Sequence, residues 1–289
     1  MKRITSLLLA LCLLLYLGAA FALTPGDRRV VVGADLTEEQ LAAVYESFGV
    51  SRGEVPELTI TNAEEKQLLD GLVDASVIGS RSISCVYIEL LDKGSGLDLR
   101  TNNITWCTKE MFLTALATAG INDARVIVSA PWASAGTAAL AGIYKAWEDL
   151  SGQALDSTAK EAGTQELAAA ASLSEKIGST DALRIIAELK KLVGNEPALD
   201  GEALTDRIGE LASGMNIQLP EGGAEDLSSL FDTLKQLAPE ELDSKIDAAQ
   251  EALRRYQNVR EKTSGFVETV KRVFRSVVDF FRTLFGKTG

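Results

Sequence analysis

The sequence contains no histidine. That single absence removes the Ser-His-Asp and Cys-His nucleophile systems, the His-ligated zinc site and imidazole acid/base chemistry. Basic residues are also in deficit, 29 Lys and Arg against 41 Asp and Glu, for a formal net charge of −12. A chain with this balance is no nucleic-acid binder, because neutralising phosphates needs a basic face. Aromatic residues make up only 6% and cysteines number three. No pair of carboxylates has the spacing of a recognised metal loop, so neither a metal nor a cofactor is expected. What is present is a 289-residue chain, 46% hydrophobic, long enough for two modest domains.

The first 22 residues read as a secretory signal peptide. Lys2 and Arg3 form a positive start, Leu7 to Leu17 is an apolar run, and Ala20-Phe21-Ala22 fits the small-x-small cleavage rule. Leu11 before Cys12 does not suit a lipoprotein signal, which needs a small residue there. The mature chain is therefore expected to begin at Leu23, the alternative being an uncleaved membrane anchor, and in either case to work outside the cytoplasm, associated with the cell envelope.

From residue 23 to 152 the pattern alternates between strand-like and helix-like runs, which predicts an α/β domain. Val30-Val31-Val32-Gly33 and Leu58-Thr59-Ile60-Thr61 read as strands. Thr37-Glu38-Glu39-Gln40 is a capping box opening a helix that stops at Gly49, and Asn62 is placed to cap the next helix, through Leu72. Ile83 to Leu91 and Leu97 to Trp106 flank Lys93-Gly94-Ser95-Gly96, a hairpin signal. Thr108 caps a helix ending at Gly120, Ala124 to Ser129 is a further strand, and Ser134 to about Leu150 a further helix. The units starting at Thr37 and Thr108 match at an offset of 71 residues, each with its cap twelve residues before a glycine stop. They read either as a duplication or as two ordinary capped helices.

Beyond Gly152 helical spacing dominates, with candidate helices over Thr158–Ile177, Thr180–Val193, Asp200–Ser213, Ala224–Leu237 and a long run from Pro239. The predicted class is thus α+β or α/β, a mixed-sheet N-terminal domain with a β-hairpin followed by an all-α domain over 153–258. A basic amphipathic segment, 259–289, ends the chain.

Several of these stretches together are similar to one known family. They are Gly33-Ala34-Asp35-Leu36-Thr37-Glu38-Glu39-Gln40, Thr61-Asn62-Ala63-Glu64-Glu65, Asn103-Ile104-Thr105-Trp106, and Ser129-Ala130-Pro131 with Gly136-Thr137-Ala138-Ala139-Leu140. The set resembles the domain of unknown function 1002 family, the YpuA-like secreted proteins of Gram-positive bacteria, over nearly the whole mature chain. The resemblance implies an exported envelope protein and supplies no catalytic residue.

Two places are candidate ligand sites. The loop from Ser129 to Thr137 puts Ser134, Gly136 and Thr137 at a helix N-terminus, where backbone N–H groups favour an anion; the alternative is a tight turn with Ser134 as N-cap. Asp35, Asn62, Asn103 and Thr105 fall at strand ends, the edge where ligands bind in open α/β sheets, although Asp and Asn are also common turn and cap residues. If a hairpin turns about Gly96, Cys85 and Cys107 face each other and either form a disulfide or remain buried thiols. Trp106, Trp132 and Trp147 read as core or interface residues.

The last segment carries the sharpest pattern. Projected at about 100° per residue, Phe266, Val270, Val273, Phe274, Val277, Phe281, Leu284 and Phe285 share one arc, with Lys271, Arg272, Arg275 and Arg282 on the other side. Residues 259–289 carry seven basic and three acidic residues, a net of +4, whereas residues 23–258 carry −18. This suits adsorption to an anionic membrane surface, or a helix that closes the acidic bundle. The sequence therefore reads as an envelope binding module with a membrane surface or another envelope component as partner. The rival is a histidine-free enzyme using Asp35 as acid/base, and a third class is an oligomer built by the helical half.

Overall fold

The computed structural model of the protein describes residues 24–238 and 240–257. The predicted leader and the segment 259–289 lie outside them, with every residue named above from Phe266 to Phe285. Five strands form one sheet: β1 (Arg28–Gly33), β2 (Glu57–Ile60), β3 (Cys85–Leu90), β4 (Leu97–Ile104) and β5 (Ala124–Ser134), in the order β2-β1-β3-β5-β4. β1 pairs parallel with β2 and β4 parallel with β5, while β3 runs antiparallel to both β1 and β5. The molecule is therefore α+β, a mixed sheet with a helical C-terminal part.

The expected hairpin between β3 and β4 does not form, because β5 lies between them. The turn itself exists, with Gly94 and Gly96 at positive φ. Asp123, just ahead of β5, ties it down: its carbonyl accepts from Leu91 N–H at 3.0 Å and its Oδ1 from Gly96 N–H at 2.8 Å. Burial explains the order. β5 carries Val126 and Val128, both fully buried, with Ile127 packed on the opposite face, which suits an interior strand. In β4 only Leu97 and Leu99 are buried and the alternating Asp98, Arg100 and Asn102 are polar, which suits an edge.

The period-2 alternation of the strands divides the apolar residues between two faces. Val30, Val32, Cys85 and Tyr87 meet Leu41, Val44, Tyr45 and Phe48 of helix α1 (Glu38–Phe48). Val31, Val86, Ile88, Leu99, Val126 and Val128 face the other way. They pack with helices α4 (Lys109–Thr118) and α5 (Thr137–Ser151), which follow two shorter helices, α2 (Asn62–Leu69) and α3 (Ala75–Ile78). The capping boxes at Thr37 and Thr108 both form. The two matched units thus share caps and parallel strand pairing, but their helices lie on opposite faces of the sheet. Thr61, not Asn62, is the N-cap of α2, in a capping box with Glu64.

The same separation of faces corrects the disulfide expectation. Cys85 belongs to the α1 face and Cys107 to the α4/α5 face, and both are free buried thiols. The sheet stands between them.

The larger cluster continues into helices α6 (Ser157–Ile177), α7 (Ser179–Asn195), α8 (Gly201–Gly214) and α9 (Gly223–Leu234) and into a helix at 240–257. At the seam α6 presses closely on α4, since a Cβ at Gly163 would lie 2.6 Å from the Ala115 carbonyl oxygen. Glu166 on α6 and Lys190 on α7 form a buried ion pair at 2.7 Å, and the Thr118 hydroxyl of α4 lies within 2.8 Å of Lys190 Nζ and 2.6 Å of Glu166 Oε2. Helix 240–257 crosses back to the sheet: Arg255 donates to the carbonyls of Gly94 and Ser95, and Lys109 Nζ sits 4.1 Å from the Tyr256 ring centroid. Among the described residues no helix is long and apolar enough to cross a membrane.

Candidate functional site

Four of the five strands run the same way, so the ends of β1, β2, β4 and β5 and the start of β3 share one edge of the sheet. The candidate residues from the sequence all lie near this edge, but the structure sorts them into two groups. The first surrounds a cavity of about 210 Å³, bounded by the α3 segment, the entry to β3 and the start of α5. Its polar lining includes Glu65, Arg81, Ser84, Ser134 and Thr137, and its apolar walls include Val77, Ile78 and Ile83.

Glu65 is the centre of this group. The capping box places it in the first turn of α2, and the face it occupies turns inward, leaving it 1% exposed. Its Oε1 accepts from the Thr137 hydroxyl at 2.6 Å and its Oε2 from the Asn62 amide at 3.3 Å. Burial pushes this carboxyl above the usual carboxylate range, and the hydrogen bonds from Thr137 and Asn62 oppose the shift. Thr137 is the first residue of α5, so the N-terminus expected to receive an anion is served by the chain's own carboxyl group. Asn62 also donates to the Gly79 carbonyl at 3.4 Å, joining α2 to the cavity wall.

At the mouth stands Arg81. Its Nη2 donates to the Asp35 main-chain carbonyl at 2.6 Å, and its guanidinium lies 5.5 Å from the ring centroid of Trp132, which is 39% exposed. The Asp35 carboxylate accepts from Ser82 N–H at 2.7 Å. Asp35 therefore holds the Ser82 backbone and the Arg81 side chain and does not line the cavity; Asn62 likewise holds the Glu65 carboxylate from outside the lining. Ser134 and Ser84 hydroxyls lie 3.3 Å apart at the wall.

The second group fastens the irregular junction of β4 and β5. Asn103, at φ 58°, donates to the Ala130 carbonyl at 2.8 Å, and Thr105 gives both its N–H and its hydroxyl to the Ser134 carbonyl at 2.8 and 3.0 Å. These bonds sit where the β4/β5 register shifts between Asn102 and Ile104. Asn103 and Thr105 therefore close a bulge and do not join the cavity. Ser134 lies in β5 and is not an N-cap; Gly136, at φ 93°, holds that position without a side-chain bond. A Cβ there would lie 2.6 Å from Ile104 Cγ2, so its role is steric.

Glu65, Arg81 and the exposed setting of Trp132 were not singled out by sequence reasoning. The signal available for Glu65 was its position three residues after Asn62 in Thr61-Asn62-Ala63-Glu64-Glu65, on the inward side of a capped helix. A second, larger cavity of about 450 Å³ lies between α2 and α5, but its charges are already matched: Glu64 pairs with Lys145 at 2.6 Å and Glu148 with Lys160 at 2.7 Å. Lys145 and the Thr61 cap bring the Glu64 carboxyl down to about 2. Among the described residues no three His, Cys, Asp or Glu side chains gather as a metal site.

Fold and site together define an α+β protein whose larger core is shared by a mixed sheet and a helical half, with a small polar cavity at the strand-end edge. The chain belongs to the DUF1002 family, described as a protein of unknown function, whose model matches residues 32–252. It is 34% identical to the "Uncharacterized protein YpuA" of Bacillus subtilis (strain 168) over 292 residues, covering 99% of this chain and 98% of that one. No solved structure matches it.

Proposed function

We propose that the protein is an exported binding module of the cell envelope, held at an anionic membrane surface by its basic C-terminal segment, residues 259–289. One observation carries the reading. The two ends of the described body meet at the pole opposite the cavity: Gly26 N–H bonds to the Leu90 carbonyl, and Arg255 bonds to Gly94 and Ser95. The described residues thus begin and end near the same pole, and residue 257 is the last of them before the basic segment. A body carrying −18 is repelled by anionic lipid while a segment carrying +4 is attracted. That arrangement favours attachment at one pole, with the cavity facing away from the lipid.

The test is co-sedimentation of the mature protein with phosphatidylglycerol vesicles, with and without residues 259–289. Binding by the full mature chain alone is expected. It should weaken with salt, because Lys271, Arg272, Arg275 and Arg282 each contribute about 1 kcal/mol of attraction. Changing Phe274 and Phe281 to Asp should abolish it. Equal binding by both forms would refute the attachment, and loss of fold on truncation would show that the segment closes the helical bundle instead. Mass spectrometry of the secreted form is expected to find Leu23 at its start.

A further inference from the structure

Glu65 and Arg81 line one cavity, and neither makes an ion pair among the described residues. It contrasts with Glu166, the other buried carboxylate among the described residues, which has its ammonium partner at 2.7 Å. A buried carboxyl group held only by neutral donors, Thr137 and Asn62, retains lone pairs for a cation. Arg81 has the complementary surplus. One of its N–H groups is used on the Asp35 carbonyl and its guanidinium lies 5.5 Å from the Trp132 ring centroid, which leaves donors of the guanidinium fork for a carboxylate. The volume, about 210 Å³, lies below the roughly 300–1,000 Å³ typical of drug-sized ligands. The apolar walls at Val77, Ile78 and Ile83 suit a short hydrocarbon side chain.

We infer that this cavity binds a small aliphatic α-amino acid, with its ammonium group at Glu65, its carboxylate at Arg81 and its side chain against Val77, Ile78 and Ile83. The inference rests on the binding-module reading but not on membrane attachment, so the vesicle experiment and a titration in solution fail independently. Binding an ammonium group stabilises the ionised form of Glu65, so affinity is expected to rise with pH through the titration of that carboxyl.

The experiment is calorimetry and amide NMR on the mature protein with L-alanine and L-valine as ligands. Saturable binding is expected, with shifts at residues 78–84 and 134–138. Isobutylamine, which lacks the carboxylate, and N-acetyl-L-valine, which lacks the ammonium, should each bind at least about tenfold more weakly than L-valine. Arg81 is exposed, so Arg81→Met should keep the fold and lose about tenfold in affinity for L-valine while leaving isobutylamine unchanged. Glu65→Gln should lose the pH dependence; if it does not fold, the two analogues and Arg81→Met decide the matter. Absence of saturable binding by either amino acid would overturn the inference, as would isobutylamine binding as well as L-valine.

Discussion

At the scale of single residues, the two cysteines show what local signals can and cannot specify. Lys93-Gly94-Ser95-Gly96 encodes a turn, and the turn is there, but a turn does not say which strands will flank each other once the chain is complete. The insertion of β5 depends on pairings between 27 and 44 residues apart in the chain, such as Leu97 with Ala124 and Cys85 with Ser129, so Cys85 and Cys107 end on opposite faces of the sheet. Burial pushes the Cys85 thiol up to about 12, against the Gly33 N–H at 3.3 Å that favours its thiolate, and burial raises Cys107 as well. Both are thiols, not thiolates, at neutral pH and are sterically enclosed. Maleimide labelling of the unreduced mature protein is expected to find no reactive thiol in the native state and two after denaturation. Recovery of none would restore the disulfide. By contrast, the Thr37 capping box and the Thr108 N-cap were legible because such a cap is complete within four residues and needs no distant partner.

At the scale of elements, the helices of the second half follow their periodicity closely, yet the fate of their charges does not. Most acidic residues there are exposed or half-buried, but Glu166 is fully buried. Its helix, α6, packs against α4 on one side and α7 on the other, so the face that carries Glu166 is shut from water, and sequence spacing alone has no way to show it. Removing one partner of such a pair leaves an uncompensated charge. Lys190→Met is expected to destabilise by about 3–5 kcal/mol in urea denaturation, whereas the double change Lys190→Met with Glu166→Leu should recover most of the loss. If the single and double variants prove equally unstable, the pair is not the source of the effect. The strand-end cavity was half visible for a related reason. The edge could be located from strand ends, and Asp35 and Asn62 do act there, but which carboxyl turned inward depended on how α2 met α5.

At the scale of the whole molecule, one apolar cluster passes from Val31 and Val86 in the sheet, through Phe112 and Leu116 of α4, to Leu167, Ile186 and Phe231 in the helical half. The change of composition at residue 152 is clear in the sequence, but it does not interrupt this core. Fragments 23–152 and 153–257, expressed separately, are therefore expected to expose the α4–α6 seam and to lack cooperative unfolding by circular dichroism, while the joined chain retains it. A cooperatively folding 23–152 fragment would contradict this. The meeting of Gly26 and Arg255 at the 90–96 turn has a topological consequence as well. Leu90 and Gly94 are at most about 14 Å apart along the chain, so a short linker between residues 26 and 257 would close the polypeptide into a ring without crossing the sheet. A circular permutant opened at the exposed Gly152-Gln153 turn would then keep every strand pairing, and the body could be spliced into a surface loop of an unrelated host with its cavity still pointing outward.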